Sequence, residues 1–159
     1  ASGAHVTAVG KIDDIFGHRG FSESLHCETN AQAQSFVREL LDRRAQGLIF
    51  VNLVDFDMLY GHRRDPAGYA RALSDADRFL AGILPRLDWD DILIVTADHG
   101  NDATFKGSDH TREYVPLIVF RQGGSGHSLG IRRGFYDIAQ SLASFFGVQP
   151  MPFGRSFLP

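Results

Sequence analysis

The stretch ILIVTADHGN, residues 92–101, runs an apolar segment straight into an acid, an imidazole and a glycine. A run this short and rich in β-branched residues suits a strand covered on both faces. Asp98 and His99 then need a purpose at its end, because an apolar layer gives their charges no partner. LIFVNLV (48–54), broken by Asn52 alone, reads the same way, and VPLIVF (115–120) gives a third such run. HVTAVGKI (5–12) also has strand-like composition.

Helical patterns separate these runs. NAQAQSFVRELLDRRAQG (30–47) carries Asn30 as an N-cap, a stripe of Phe36, Val37, Leu40 and Leu41, and Gly47 as its close. Asp65-Pro66 is a cap followed by proline at the first helical position. Leu73, Ala76, Leu80, Ile83 and Leu87 follow at helical spacing, with Pro85 set to kink or end the helix. Phe135, Ile138, Ala139, Leu142 and Phe146 predict a last helix that closes at Gly147 and buries its phenylalanines. Alternation of strand and helix predicts an α/β fold, a mostly parallel sheet with helices on both faces. In such sheets ligands bind beyond the carboxyl ends of the strands.

Composition narrows the partners. A chain of 159 residues, 43% hydrophobic and 22% charged, suits one domain with a real core. A net charge of -3 gives no polycationic surface for nucleic acid or anionic membrane. No apolar stretch approaches the roughly 20 residues of a membrane span, and no signal-peptide pattern opens the chain. Cys27 stands alone, which excludes an internal disulfide and suits a reducing compartment such as the cytoplasm.

Polar residues collect after two of the strands. Asp55, Asp57 and His62 follow 48–54; Asp98, His99, Asp102, Asp109 and His110 follow 92–97. If the two strands are neighbours, both loops open at one edge. Asp and His are ligands for zinc and manganese-like cations, and their number exceeds what one tetrahedral ion takes. A pair of ions roughly 3.5–4 Å apart would use them. Taken singly, Asp55, Asp102 and Asp109 read as caps or turn residues, and His5, His18 and His127 as solvated. Arg63 and Arg64 are either a solvated pair or phosphate-facing, and Lys11 has the same two readings.

Five stretches resemble the phosphopentomutases of the alkaline phosphatase superfamily: GKIDDIF (10–16), NLVDFDMLYGHRRDP (52–66), TADHGND (96–102), GSDHTREYVPLIVF (107–120) and GVQPMPFGRSFL (147–158). TADHGN is shared with the cofactor-independent phosphoglycerate mutases; GHRRDP and DHTREYVP are particular to the pentomutases. The resemblance implies an alkaline-phosphatase-like core and interconversion of (deoxy)ribose 1-phosphate and 5-phosphate through a phosphoenzyme. It implies two manganese ions, one held by Asp57, His62 and His110, the other by Asp98 and His99. Lys11 stands where the family has a lysine near the substrate phosphate.

It further implies that residues 1–159 are a single C-terminal segment of the catalytic core. The threonine nucleophile, one further Asp ligand and the cap domain would lie in an N-terminal part, and the segment alone would be inactive. Two other readings stay open: a different superfamily enzyme, such as a phosphoglycerate mutase or phosphodiesterase, and a non-catalytic metal-binding module.

Overall fold

A computed structural model describes residues 3–158. His5–Gly124 makes one compact unit, and a second is built from Ser125 onward.

In the first unit, β1 (Val6–Val9) is flanked by β2 (Glu23–Leu25) and β3 (Leu48–Val51), both parallel to it. All three carboxyl ends therefore open at one edge. A short helix, α1 (Ile12–Ile15), follows β1. Helix α2 (Asn30–Asp42) packs Ala33 and Leu40 on Val9 and Cys27, with Ile49 and Val51 of β3 against the same cluster. Helix α3 (Pro66–Ile83) lies on α2, where Phe79 and Ile83 meet Val37. Phe50 points to the opposite face and is 43% exposed. Burial and the charges of Asp55 and Glu28 push the Cys27 thiol above its ordinary 9.0, so it behaves as a core residue.

Helix ends follow local chemistry. Thr29, not Asn30, caps α2 by accepting from the Gln32 amide, and Asn30 is committed elsewhere. The helix stops at Asp42, short of the expected Gly47, as Arg44 turns left-handed with φ 53°. Gly47 instead makes the turn into β3, at φ 102°, where a Cβ would strike the His5 carbonyl. Asp65 and Pro66 start α3 as the sequence predicts, and a single 3₁₀ turn over Leu84–Arg86 ends it at Pro85. Its buried positions are Gly68, Ala72, Phe79 and Ile83; Leu73, expected in the stripe, is exposed.

β4 (Leu93–Thr96) and β5 (Leu117–Phe120) form a separate antiparallel pair. β3 and β4 are therefore not hydrogen-bonded neighbours, although both keep the strand positions the apolar runs imply.

The second unit is built on α4 (Tyr136–Phe145). Its buried residues are Asp137, Ser141 and Ala143, whereas Phe135 is 52% exposed. The expected phenylalanine core is thus corrected: the C-terminal segment lies along a polar side of the helix. Asp137 accepts from the Arg155 amide at 2.9 Å, and Ser141 Oγ accepts from the Phe157 amide at 2.9 Å. Those backbone donors must be satisfied on burial, and phenylalanine has nothing to offer them. No helix among the described residues is long and apolar enough to cross a membrane.

Candidate metal centre

A π-helical turn, Phe56–Gly61, follows β3. The His62 amide bonds to the Asp57 carbonyl at 3.0 Å, an i→i+5 link that brings side chains five residues apart onto one side. Asp57 Oδ2 and His62 Nε2 are consequently 3.1 Å apart. The loop after β4 comes to meet them. His110 Nε2 lies 3.2 Å from His62 Nε2 and 3.5 Å from Asp57 Oδ1. The His99 ring stacks on that of His110 with centroids 3.8 Å apart, and Asp57, His99 and His110 offer ligand atoms within 4.8 Å of one another. Asp98, 77% exposed at its side chain, sits beside them with Oδ1 3.6 Å from His99 Nε2.

Protonation makes this grouping informative. His62 Nδ1 faces the Ser108 carbonyl, which can only accept, so Nδ1 donates to it. His99 Nδ1 likewise faces the Gly100 carbonyl, at 3.2 Å. His62 Nε2 then faces the acceptor-only Asp57 carboxylate. A positive charge between these groups, a bound cation or a second ring proton, satisfies both. Ligands held 2.0–2.2 Å from one tetrahedral ion are roughly 3.4 Å apart, and the separations around Asp57, His62 and His110 bracket that value. The donor set therefore fits a divalent cation of the zinc or manganese class. Hydrogen bonds from the second nitrogens to carbonyls are how metal-ligating imidazoles are usually oriented.

The scaffold around the ligands is specific. Asn101 Nδ2 donates to Asp57 Oδ1 at 2.6 Å, linking the two loops. Gly61 permits this approach, since a Cβ there would strike the Asn101 amide. Arg64, in the left-handed region at φ 54°, donates to Asn101 Oδ1 at 3.0 Å and to the Asp102 carbonyl at 2.8 Å. It also donates to the Gly107 and Asp109 carbonyls. Of the two options for Arg63-Arg64, Arg64 takes neither: it braces the loop that carries His110. Burial and the Asp57 charge push the nearby Tyr69 phenol above its ordinary 10.0.

The remaining candidates fall in other places. Asp55 exchanges hydrogen bonds with Asn30, accepting from its amide at 2.9 Å and donating its own to Asn30 Oδ1 at 3.0 Å. Asp102 turns back on Thr104, and Asp109 takes part through its carbonyl. Lys11 Nζ donates to Met58 Sδ at 3.4 Å, beside the π-helical turn. Sequence reading missed Asn101 and the bracing role of Arg64. The signal for Asn101 was its place beside Asp98-His99, but no periodicity ties it to Gly61 forty residues earlier.

Comparison with known proteins agrees with this chemistry. A family model described as "Metalloenzyme superfamily" matches residues 4–150. The phosphopentomutase of Anaeromyxobacter sp. (strain K) is 53% identical over 157 residues, covering 99% of this chain and 40% of that protein. The phosphopentomutase of Symbiobacterium thermophilum is 49% identical, covering 98% and 40%. The chain thus spans about 40% of the length of these curated relatives. Among solved structures, a phosphoglycerate mutase of Leishmania mexicana superposes over 98% of this chain and 37% of its own, with a TM-score of 0.73 at 18% identity. That likeness is one of fold.

Proposed function

The chain belongs to the metalloenzyme superfamily, and from that premise we propose that it is the metal-holding segment of a phosphopentomutase. The observation that carries the reading is the coincidence of two facts. Asp57, His62, His99 and His110 converge with their ligand atoms a few ångströms apart, and the match of about one-half identity to phosphopentomutases spans the whole stretch that contains them.

On this reading Asp57, His62 and His110 hold one manganese ion, and Asp98 and His99 belong to a second. When bound, such ions supply positive charge against the phosphoryl oxygens in flight. The chain's own residues set the geometry. Asn101 fixes the Asp57 carboxylate, the Ser108 carbonyl fixes the His62 tautomer, and Arg64 holds the loop that presents His110. Lys11, close to Met58 of the π-helical turn, binds the substrate phosphate. The complete enzyme interconverts (deoxy)ribose 1-phosphate and (deoxy)ribose 5-phosphate in the cytoplasm, linking nucleoside salvage to the pentose phosphates. Its phosphorylated threonine, one further Asp ligand and the cap over the sugar lie outside these 159 residues.

The test uses the full-length polypeptide that carries this segment. Conversion of ribose 1-phosphate to ribose 5-phosphate is expected to require manganese. It should fall by at least about 10²-fold in His110→Ala, since removing even one charge-stabilising contact costs that much. The 159-residue chain alone is expected to show no turnover. Turnover by the short chain, or an unaffected His110→Ala enzyme, would overturn the assignment.

A further inference from the structure

A second group of Asp and His side chains lies beyond the carboxyl ends of β1 and β2, and the mutase reading uses none of it. Asp13 follows β1 and His26 follows β2, so parallel pairing sets them side by side. His26 Nε2 is 3.3 Å from Asp13 Oδ2, and His18 Nδ1 is 3.1 Å from the same oxygen. His18 Nε2 lies 3.8 Å from Asp14 Oδ1. Asp13, Asp14 and His18 offer ligand atoms within 4.8 Å of one another. His18, solvated in the sequence reading, is therefore engaged.

The decisive feature is Asp13. It is 3% exposed, and its Oδ1 is buried without a hydrogen-bond partner among the described residues. Leaving a buried carboxylate oxygen unsatisfied is costly, more so than for a neutral group. Burial works against its charge, yet His18, Ser24 and His26 hold its pKa below the ordinary 3.8, so it is a carboxylate at neutral pH. The neighbours of this anion are two exposed imidazoles and a second carboxylate.

We propose that Asp13, Asp14 and His18 form a further, independent site for a divalent cation of the zinc class, with His26 orienting the Asp13 carboxylate from beside it. Two carboxylates and one imidazole neutralise a dication, suit zinc and leave its fourth position to water. His18 sits at φ 57°, which asparagine and glycine tolerate, so His18→Asn removes the imidazole while keeping the backbone.

The experiment titrates zinc into the full chain bearing Asp57→Asn and His110→Ala, which disable the first centre. Retained metal is counted after gel filtration. One equivalent is expected to remain, with affinity falling at least about tenfold on adding His18→Asn or His26→Ala. No retained zinc, or zinc indifferent to both substitutions, would overturn the proposal and leave a hydrogen-bonded cluster. Should the double substitution unfold the chain, imidazole ¹⁵N spectra of the unmodified chain decide. Zinc should move the His18 and His26 ring signals, and unmoved signals at saturating zinc reject the site.

Discussion

β3 and β4 are tied together at their ends and apart along their lengths. The loops that leave them interlock through Asn101, Arg64, His62 and His110. The strands themselves belong to different sheets, and none of their residues is buried. β1, next to β3 in the same sheet, is the reverse: Thr7, Ala8 and Val9 are at most 2% exposed. LIFV and LIVT nevertheless read as the more apolar strands. The difference teaches that a near-continuous apolar run records the cover a strand is written for. The site is different. The contacts among Asp57, His62, His99 and His110 come from loops, and the antiparallel bridge of Gly100 with Thr111 beyond β4 and β5 sets His99 and His110 side by side.

The largest effect expected from this contrast concerns Phe50. In the 159-residue chain Phe50→Ala should cost under about 1 kcal/mol, as for other exposed positions. In a full-length polypeptide that covers this face it should cost about 3–5 kcal/mol. Equal costs in the two settings, measured by denaturant unfolding, would mean that β3 gains no cover and would end the comparison. Gly47→Ala comes next and acts on the sheet itself. A left-handed Ala that also meets the His5 carbonyl should lose roughly 2–3 kcal/mol in either setting. A neutral result would show that the β1–β3 register tolerates a shift.

Legibility in the sequence divided along similar lines. Strand runs, the Asp65-Pro66 helix start and the stop at Pro85 were readable because each depends on neighbours in sequence. Asp57, His62, Asp98, His99 and His110 were singled out by residue type and by position after strands, and the structure brings them together. What pairs with what was not readable. The antiparallel β4–β5 pair, the i→i+5 turn that aligns Asp57 with His62, and the Arg64 brace all depend on tertiary placement. The α4 face was misread because Asp137 and Ser141 are buried by backbone donors of residues 155–157, which periodicity does not reveal. His18 was passed over because its partner Asp13 looks like an ordinary helix-start acid.

Arg64 allows a sharper test of the knitted end alone. Arg64→Ala should weaken divalent-cation binding by about 10–100-fold, the usual cost of losing an orienting partner. The thermal transition of the chain should move far less than it does for Gly47→Ala. Arg64→Lys should not rescue it, because one ammonium cannot serve several carbonyls in the fixed directions of a guanidinium. Titration of both variants checks this, and undiminished affinity in Arg64→Ala would show that the His110 loop holds its place unaided.

The smallest effect lies at the outer turn of the same loop. Asp102 Oδ1 accepts from the Thr104 hydroxyl at 2.7 Å and the Thr104 amide at 2.8 Å. Those two bonds hold its pKa below the ordinary 3.8; burial opposes them, and the Arg64 charge assists. The favoured form is the carboxylate, so the turn's stabilisation is complete above about pH 4, the unfolded-chain value. It fades as pH falls further, through the lowered folded pKa. The Thr104 amide resonance should therefore stay fixed from neutral pH down to about 4.5 and move only below that. Asp102→Asn should remove the acid-dependent movement while leaving Asp57, His62, His99 and His110 in place. An amide that titrates between pH 5 and 7 would mean that another group controls this turn, and that the loop is tied to its surroundings less simply than the Arg64 and Asn101 contacts imply.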